Sequence, residues 1–162
     1  MNWHEFFMRQ VYLVASKSKD PRTKIGAVLV RDNTVISQGY NGFPRGLRDA
    51  EERYNNRVVK NELVCHAEHN AILNCARNGI STLGATLYTQ GIPCKECAKA
   101  VIQAGIKNII THSIWPNLTH CPAWVDSIEL SEKMLDESRI GLSYIDIKLN
   151  IEGFLDGKVI KV

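Results

Sequence analysis

Four side chains, His66, Glu68, Cys94 and Cys97, are of the types that handle a metal ion and a proton together. One imidazole and two thiolates fill three corners of a tetrahedral Zn²⁺. The fourth corner, left to water, separates a catalytic zinc from a closed structural one. Water on such a zinc ionises near neutrality, at about 7 instead of about 15.7. Glu68, two residues from the histidine, would then carry protons between that water and a leaving group. Plainer readings exist for each residue alone. Glu68 would suit the first turn of any helix, a lone Cys-x-x-Cys can be a redox pair, and a fourth ligand would close a structural, non-enzymatic zinc site. Their joint occurrence in this order favours hydrolytic chemistry.

The neighbouring segments explain the spacing. Glu68 to Asn78 carries Ala71, Ile72, Cys75 and Ala76 at helical intervals, which puts His66 and Glu68 at a helix start. Cys94 to Gln103 reads as a second helix, with Pro93 at its entrance, where a missing N–H is harmless. Cys94 and Cys97, three apart, share a face, and a helix N-terminus favours the thiolate that a metal ligand needs. A strand-like run, Ala85 to Thr89, leads into the cysteine pair. Two helix starts facing each other would assemble the site.

The rest of the chain supplies a scaffold. Residues 3 to 17 are amphipathic, with Phe6, Phe7, Val11, Leu13 and Val14 near one face. Ile25 to Val30 and Thr34 to Tyr40 are strand-like and joined by Asp32-Asn33, a hairpin signal. Asn108 to Thr111 and Leu142 to Ile147 flank Pro122 to Ser138, a helical pattern with Trp124, Val125, Ile128, Met134 and Leu135; a connection that long makes the two strands parallel. The expectation is one α/β domain over 1–162, a three-layer α/β/α arrangement with a five-stranded mixed sheet and helices on both faces. The tail, Lys148 to Val162, is expected to pair with the sheet edge or a neighbouring subunit.

Composition narrows the function. A chain of 162 residues, 44% hydrophobic and 23% charged, suits one soluble globular unit. No apolar run is long enough to cross a bilayer, and Met1 to Glu5 lacks a signal-peptide layout, so no membrane partner and a cytoplasmic location are expected. Net charge is +3, from 20 basic and 17 acidic residues, too even and dispersed for a nucleic-acid footprint. The count of five cysteines is odd, which argues against a disulfide framework. His69, His112 and His120, with Cys65 or Cys121, raise a second metal site, though no compact spacing supports it. Phe43 to Val64 is a long polar insert holding Arg45, Arg48, Arg53, Arg57 and Lys60, and such loops are usually functional or disordered.

Four stretches together resemble the deoxycytidylate deaminase family of the zinc-dependent cytidine deaminase superfamily. They are Ser18-Lys19-Asp20-Pro21 with Lys24-Ile25-Gly26-Ala27, then Gly39-Tyr40-Asn41-Gly42-Phe43-Pro44-Arg45-Gly46, His66-Ala67-Glu68-His69-Asn70-Ala71-Ile72, and Pro93-Cys94-Lys95-Glu96-Cys97. The resemblance runs from about Trp3 to Ile147. The last two stretches are shared across the superfamily, H-x-E with P-C-x-x-C, whereas the first two resemble the nucleotide-monophosphate branch. The resemblance implies a cytidine-deaminase-like fold and hydrolysis of dCMP to dUMP, with Glu68 as catalytic acid and base and His66, Cys94 and Cys97 on Zn²⁺. Alternative substrates are dCTP, free deoxycytidine or a polynucleotide base.

The same resemblance implies a homo-hexamer activated by dCTP and inhibited by dTTP, with Mg²⁺ accompanying the triphosphate. It would place effector binding on Gly39, Tyr40, Asn41, Gly42, Phe43, Pro44, Arg45 and Gly46, with Arg48 nearby, and subunit communication at Arg77. For the substrate, Asn41 is the candidate for the sugar hydroxyl, Lys19 and Lys24 for the 5′-phosphate, and Ala67 N–H for the base O2. Val28 would wall the base opposite His66, and Trp115 or Tyr144 would stack over it. Thr89-Gln90-Gly91-Ile92 and the region from His112 to Trp124 depart from the family pattern.

Overall fold

The computed structural model describes residues 1–115 and 122–162, with backbone alone for 122 and 123. Helix α1, Trp3–Ala15, starts at Asn2, whose side chain accepts from the Glu5 N–H and satisfies one of the unpaired first-turn donors. It buries Phe7, Met8, Val11, Tyr12 and Val14. The apolar run Gly26–Arg31 forms β1, and Thr34–Tyr40 forms β2. Between them Asp32 and Asn33 both take positive φ, 50° and 55°, the conformation a two-residue hairpin demands.

Helices α2, Glu51–Asn55, and α3, Arg57–Leu63, follow; then come α4, Ala67–Arg77, β3, Thr86–Thr89, α5, Lys95–Gln103, and β4, Asn108–His112. The chain continues through α6, Pro122–Glu137, and β5, Gly141–Ile145, to β6, Glu152–Leu155, and β7, Lys158–Lys161. The main sheet runs β2-β1-β3-β4-β5. β1 is antiparallel to β2 and β3, while β3, β4 and β5 are mutually parallel. The parallel β4–β5 pair is what the long α6 connection allows.

Strand alternation splits the core in two. Val28, Val30, Tyr88 and Ile110 pack against α1 with Phe7, Val11 and Tyr12. Ala27, Leu29, Leu87 and Ile109 face the other way, against Ala67, Ala71 and Cys75 of α4, Ala98 and Val101 of α5 and Leu135 of α6. The result is an α/β/α sandwich with α4, α5 and α6 on one face.

Two expectations are corrected. The insert is not a plain loop. Its α2 and α3 are joined at Asn56, whose side chain caps α3 by accepting from Val59 N–H, and Phe43 stacks on Tyr54 with ring centroids 4.1 Å apart. Within the chain the tail pairs with itself and not with the main sheet edge: β6 and β7 form a two-stranded sheet. Leu149, Leu155 and Val162 sink into the α1-side core, which supplies the apolar surface that an isolated hairpin lacks. Among the described residues, no helix is long and apolar enough to cross a membrane.

Candidate metal centre and catalytic site

His66 is the N-cap of α4 and Cys94 the N-cap of α5; neither side chain caps its own helix, which leaves both turned toward other partners. The two helix starts meet. His66 Nδ1 lies 3.4 Å from Cys94 Sγ and 3.5 Å from Cys97 Sγ. Zinc bonds of ordinary length at tetrahedral angles put nitrogen and sulfur about 3.6 Å apart. The observed set therefore fits a single Zn²⁺ in both ligand chemistry and spacing. Among the described residues, these three form the group of histidine, cysteine and acidic side chains gathered closely enough to hold a metal.

Glu68 sits in the first turn of α4, 6% exposed, with Cys97 Sγ donating to its Oε2 at 3.7 Å. Burial pushes its carboxyl above the usual range, opposed in part by His66. A carboxyl so placed takes up a proton more readily than a surface glutamate. Cys94 is driven down to about 4, first by the hydrogen bond from Cys97 and further by His66. Cys97 holds the shared proton and is pushed up. The Cys94 sulfur in turn raises His66. Two sulfurs, a ring nitrogen and a carboxyl crowd a common point, a donor set suited to a cation.

Gly39 lets this helix approach the sheet. A Cβ there would stand 2.4 Å from the Ala67 carbonyl oxygen and 2.4 Å from the Ala71 nitrogen. Cys65, next to His66, exchanges backbone hydrogen bonds with Gly42 at 2.8 and 3.1 Å, and Asn70 Nδ2 donates to the Tyr40 carbonyl. Gly39, Tyr40 and Gly42 thus tie β2 and the residues after it to α4, and Gly39 and Gly42 are buried. Phe43 is taken by Tyr54. Pro44, Arg45 and Gly46 are exposed in the turn that follows, Arg48 pairs with Glu52, and Arg77 is exposed at the end of α4.

Several substrate assignments change. Val28 is on the α1 face of the sheet, opposite Ala67, because alternation carries neighbouring residues to opposite sides, so it cannot wall a base beside His66. Asn41 is turned inward: its Oδ1 accepts from Ile25 N–H at 2.8 Å, and its Nδ2 donates to the Thr23 carbonyl at 2.9 Å. Both ends of the amide are committed to the scaffold. Trp115 is buried in the α1-side core near Tyr12 and against Gly91, where any Cβ would meet its ring at 2.5 Å. Tyr144, on the edge strand β5, donates to Glu132 of α6. The aromatic beside the metal ligands is Trp124, its ring centroid 6.1 Å from that of His66. Nothing in its spacing marked it, since it lies 27 residues beyond Cys97 and only the docking of α6 brings it in.

Lys19 pairs with Asp49 at 2.8 Å, and Lys24 Nζ lies 5.5 Å from the Phe154 ring centroid. Gln90, in the departing segment, is fully buried; it accepts from Gly26 N–H and donates to the Lys24 carbonyl. The second-metal idea loses His112, whose Nδ1 faces the Tyr12 hydroxyl at 2.8 Å and whose Nε2 faces the Ile147 carbonyl at 2.7 Å. His120 and Cys121 lie outside the described residues.

A three-layer α/β/α sandwich with a His-Cys-Cys centre at two helix starts and a buried glutamate beside it is the architecture of a zinc-dependent hydrolytic deaminase. The model of the cytidine and deoxycytidylate deaminase zinc-binding region matches residues 1–113, and the chain belongs to that family. It is 42% identical over 117 residues to the deoxycytidylate deaminase of Homo sapiens, covering 68% of this chain and 64% of the human protein, just under two thirds of that relative's length. With ComE operon protein 2 of Bacillus subtilis it shares 36% identity over 154 residues, 90% of this chain and 82% of that protein. The crystal structure of dCMP deaminase from the cyanophage S-TIM5, in complex with dCMP and dUMP, superposes with a TM-score of 0.67 at 25% identity, over 87% of this chain and 95% of the phage chain. The fold is thus the cytidine-deaminase-like one.

Proposed function

We propose that this chain hydrolyses dCMP to dUMP and ammonia, feeding dTTP synthesis. The observation that carries the reading is the buried Glu68 carboxyl lying against the His66, Cys94 and Cys97 ligand set. His66, Cys94 and Cys97 would hold Zn²⁺, which when bound would activate a water at neutral pH. Glu68 would move the protons: its carboxyl takes one from the attacking water and passes it to ring N3 as C4 is attacked, then takes the remaining proton of the new C4 hydroxyl and gives it to the departing amino group, so that ammonia leaves as the C4 carbonyl forms. Burial favours this task, because it holds the carboxyl nearer to the working pH than a surface acid. The Ala67 N–H, in the first turn of α4, is our candidate donor to the base O2.

Two relatives support the choice of substrate: the human protein bears the name deoxycytidylate deaminase, and the phage enzyme is described in complex with dCMP and dUMP. The 5′-phosphate would meet Lys24 and Lys19, the latter after releasing Asp49. Ammonia release measured across dCMP, dCTP, deoxycytidine and a short oligonucleotide tests the reading. We expect turnover of dCMP; turnover of the oligonucleotide alone would reject it.

We also propose a cytoplasmic homo-hexamer activated by dCTP and inhibited by dTTP, each bound with Mg²⁺. Its anion partners would be drawn from the exposed Arg45 and Arg48. A ligand that binds only the native state raises its melting temperature. Unchanged melting at saturating dTTP and Mg²⁺ would remove the regulation and leave catalysis intact.

A further inference from the structure

The start of α6 touches the metal-bearing elements at two points. Trp124 lies against His66, its ring tilted 36° to the imidazole plane. Three residues on, Ser127 Oγ accepts the Lys95 N–H at 3.1 Å. Lys95 opens α5, directly after Cys94, and the Cys94 side chain makes no cap hydrogen bond of its own. Ser127 therefore satisfies one of the orphan first-turn donors of α5 from another helix. Residues three apart share a helix face, so one face of α6 presents the indole to one ligand-bearing helix start and the hydroxyl to the other. Toward the other end of the two helices, Val101 of α5 and Leu135 of α6 share the same core, with an open surface depression lined by Lys99, Ile102, Gln103, Met134 and Glu137 beside them. The hydrogen bond from Lys95 N–H to Ser127 ties α5 to the end of α6 that carries Trp124.

We infer that this face of α6 is the wall of the site: Trp124 covers His66 and confines the planar base beside it, and Ser127 is a positioning residue that holds Trp124 there by pinning α6 to the start of α5. The base-confining role rests on the reading of the chain as a dCMP deaminase; the covering of His66 does not. An indole over the ligand shields the metal from solvent and competing ligands, since the apolar surroundings of a metal site control access to it. Base–aromatic contacts are strong enough to appear in substrate affinity.

The test compares Trp124→Ala, Trp124→Phe, Ser127→Ala and Ser127→Thr in the zinc-loaded protein. Zinc loss to a chromogenic chelator is one readout, and KM and kcat for dCMP are the other. Trp124→Ala should lose zinc several-fold faster and raise KM more than it lowers kcat, with Trp124→Phe recovering most of both. Ser127→Ala should shift both readouts in the same direction and Ser127→Thr restore them. Wild-type zinc release together with wild-type KM in Trp124→Ala overturns the wall. A lower melting temperature in Ser127→Ala, with zinc release and KM unchanged, overturns the positioning role. Absence of dCMP turnover in the wild-type protein rejects the proposed substrate, while the zinc-release comparison still decides whether Trp124 covers the ligand.

Discussion

Two largely buried polar clusters differ in composition and in closure. In the first, His66, Glu68, Cys94 and Cys97 turn toward one another, with Nδ1 of His66 at 3.4 and 3.5 Å from the two sulfurs. In the second, every group has a partner: Asp20 Oδ1 accepts from the N–H groups of Arg22 and Thr23, and Oδ2 meets Lys60 Nζ at 3.0 Å. Asn41 bridges Ile25 and Thr23, while Ser18 Oγ donates to the Asn41 carbonyl and accepts from Asp20 N–H. Buried polar groups are normally satisfied. A cluster tied to the backbone through Ser18, Asp20 and Asn41 holds a scaffold together, whereas one whose imidazole, thiols and carboxyl contact chiefly one another is a set suited to a cation. The difference teaches that residue type nominates a site, and the hydrogen-bond balance decides which nominee does chemistry.

The sharpest way to break this contrast is Glu68→Ala. Loss of a positioned acid and base should lower turnover by about 10²–10⁴-fold, with zinc content and melting temperature near those of the wild type. Retained activity would reduce Glu68 to a helix-start acid. Next in size is Asp20→Ala, which leaves the Lys60 ammonium, its side chain 11% exposed, without its carboxylate. Removing one partner of a buried pair costs about 3–5 kcal/mol, so the urea midpoint should fall well below that of the wild type while the rate per folded molecule holds.

Asn41→Ala sharpens the comparison within a single residue. Leaving Ile25 N–H without its acceptor should cost about 1–3 kcal/mol of stability, with KM unchanged. A higher KM at full stability would instead return Asn41 to the substrate. The smallest effect concerns a third, closed arrangement, Tyr12–His112–Ile147. A carbonyl oxygen can only accept, so His112 donates from Nε2 and its Nδ1 accepts from the Tyr12 hydroxyl. Burial holds His112 below the ordinary histidine value. The unfolded chain then binds the proton first as pH falls: stability is intact above about 6.5 and is lost as pH drops through the lowered value, by at most about 1.4 kcal/mol per pH unit. Urea midpoints at pH 7 and pH 5 should converge more closely in His112→Gln than in the wild type; equal slopes would mean that His112 is not the group responsible.

Much of the scaffold was legible because its signals are local. The Asp32-Asn33 turn, the helix starts at His66 and Cys94 and the parallel β4–β5 pair all follow from short-range pattern and connection length. The insert misled because its helices, five and seven residues long, have too little periodicity to read. The tail misled because β6 and β7 take their stability from α1-side core contacts distant in sequence. Substrate-wall assignments fared worst. Val28, Trp115 and Tyr144 were chosen by residue type, and each found a different surface: the α1 core, Gly91 and Glu132.

The order of His66, Glu68, Cys94 and Cys97 by itself determined which residues are candidate ligands and the kind of chemistry proposed for them, because ligand identity and helix-start position are properties of a few adjacent residues. Only the tertiary structure decided that Asn41 faces the scaffold and that Trp124 meets His66. Those outcomes depend on which faces of β1, β2 and α6 turn inward, and packing between distant segments sets that.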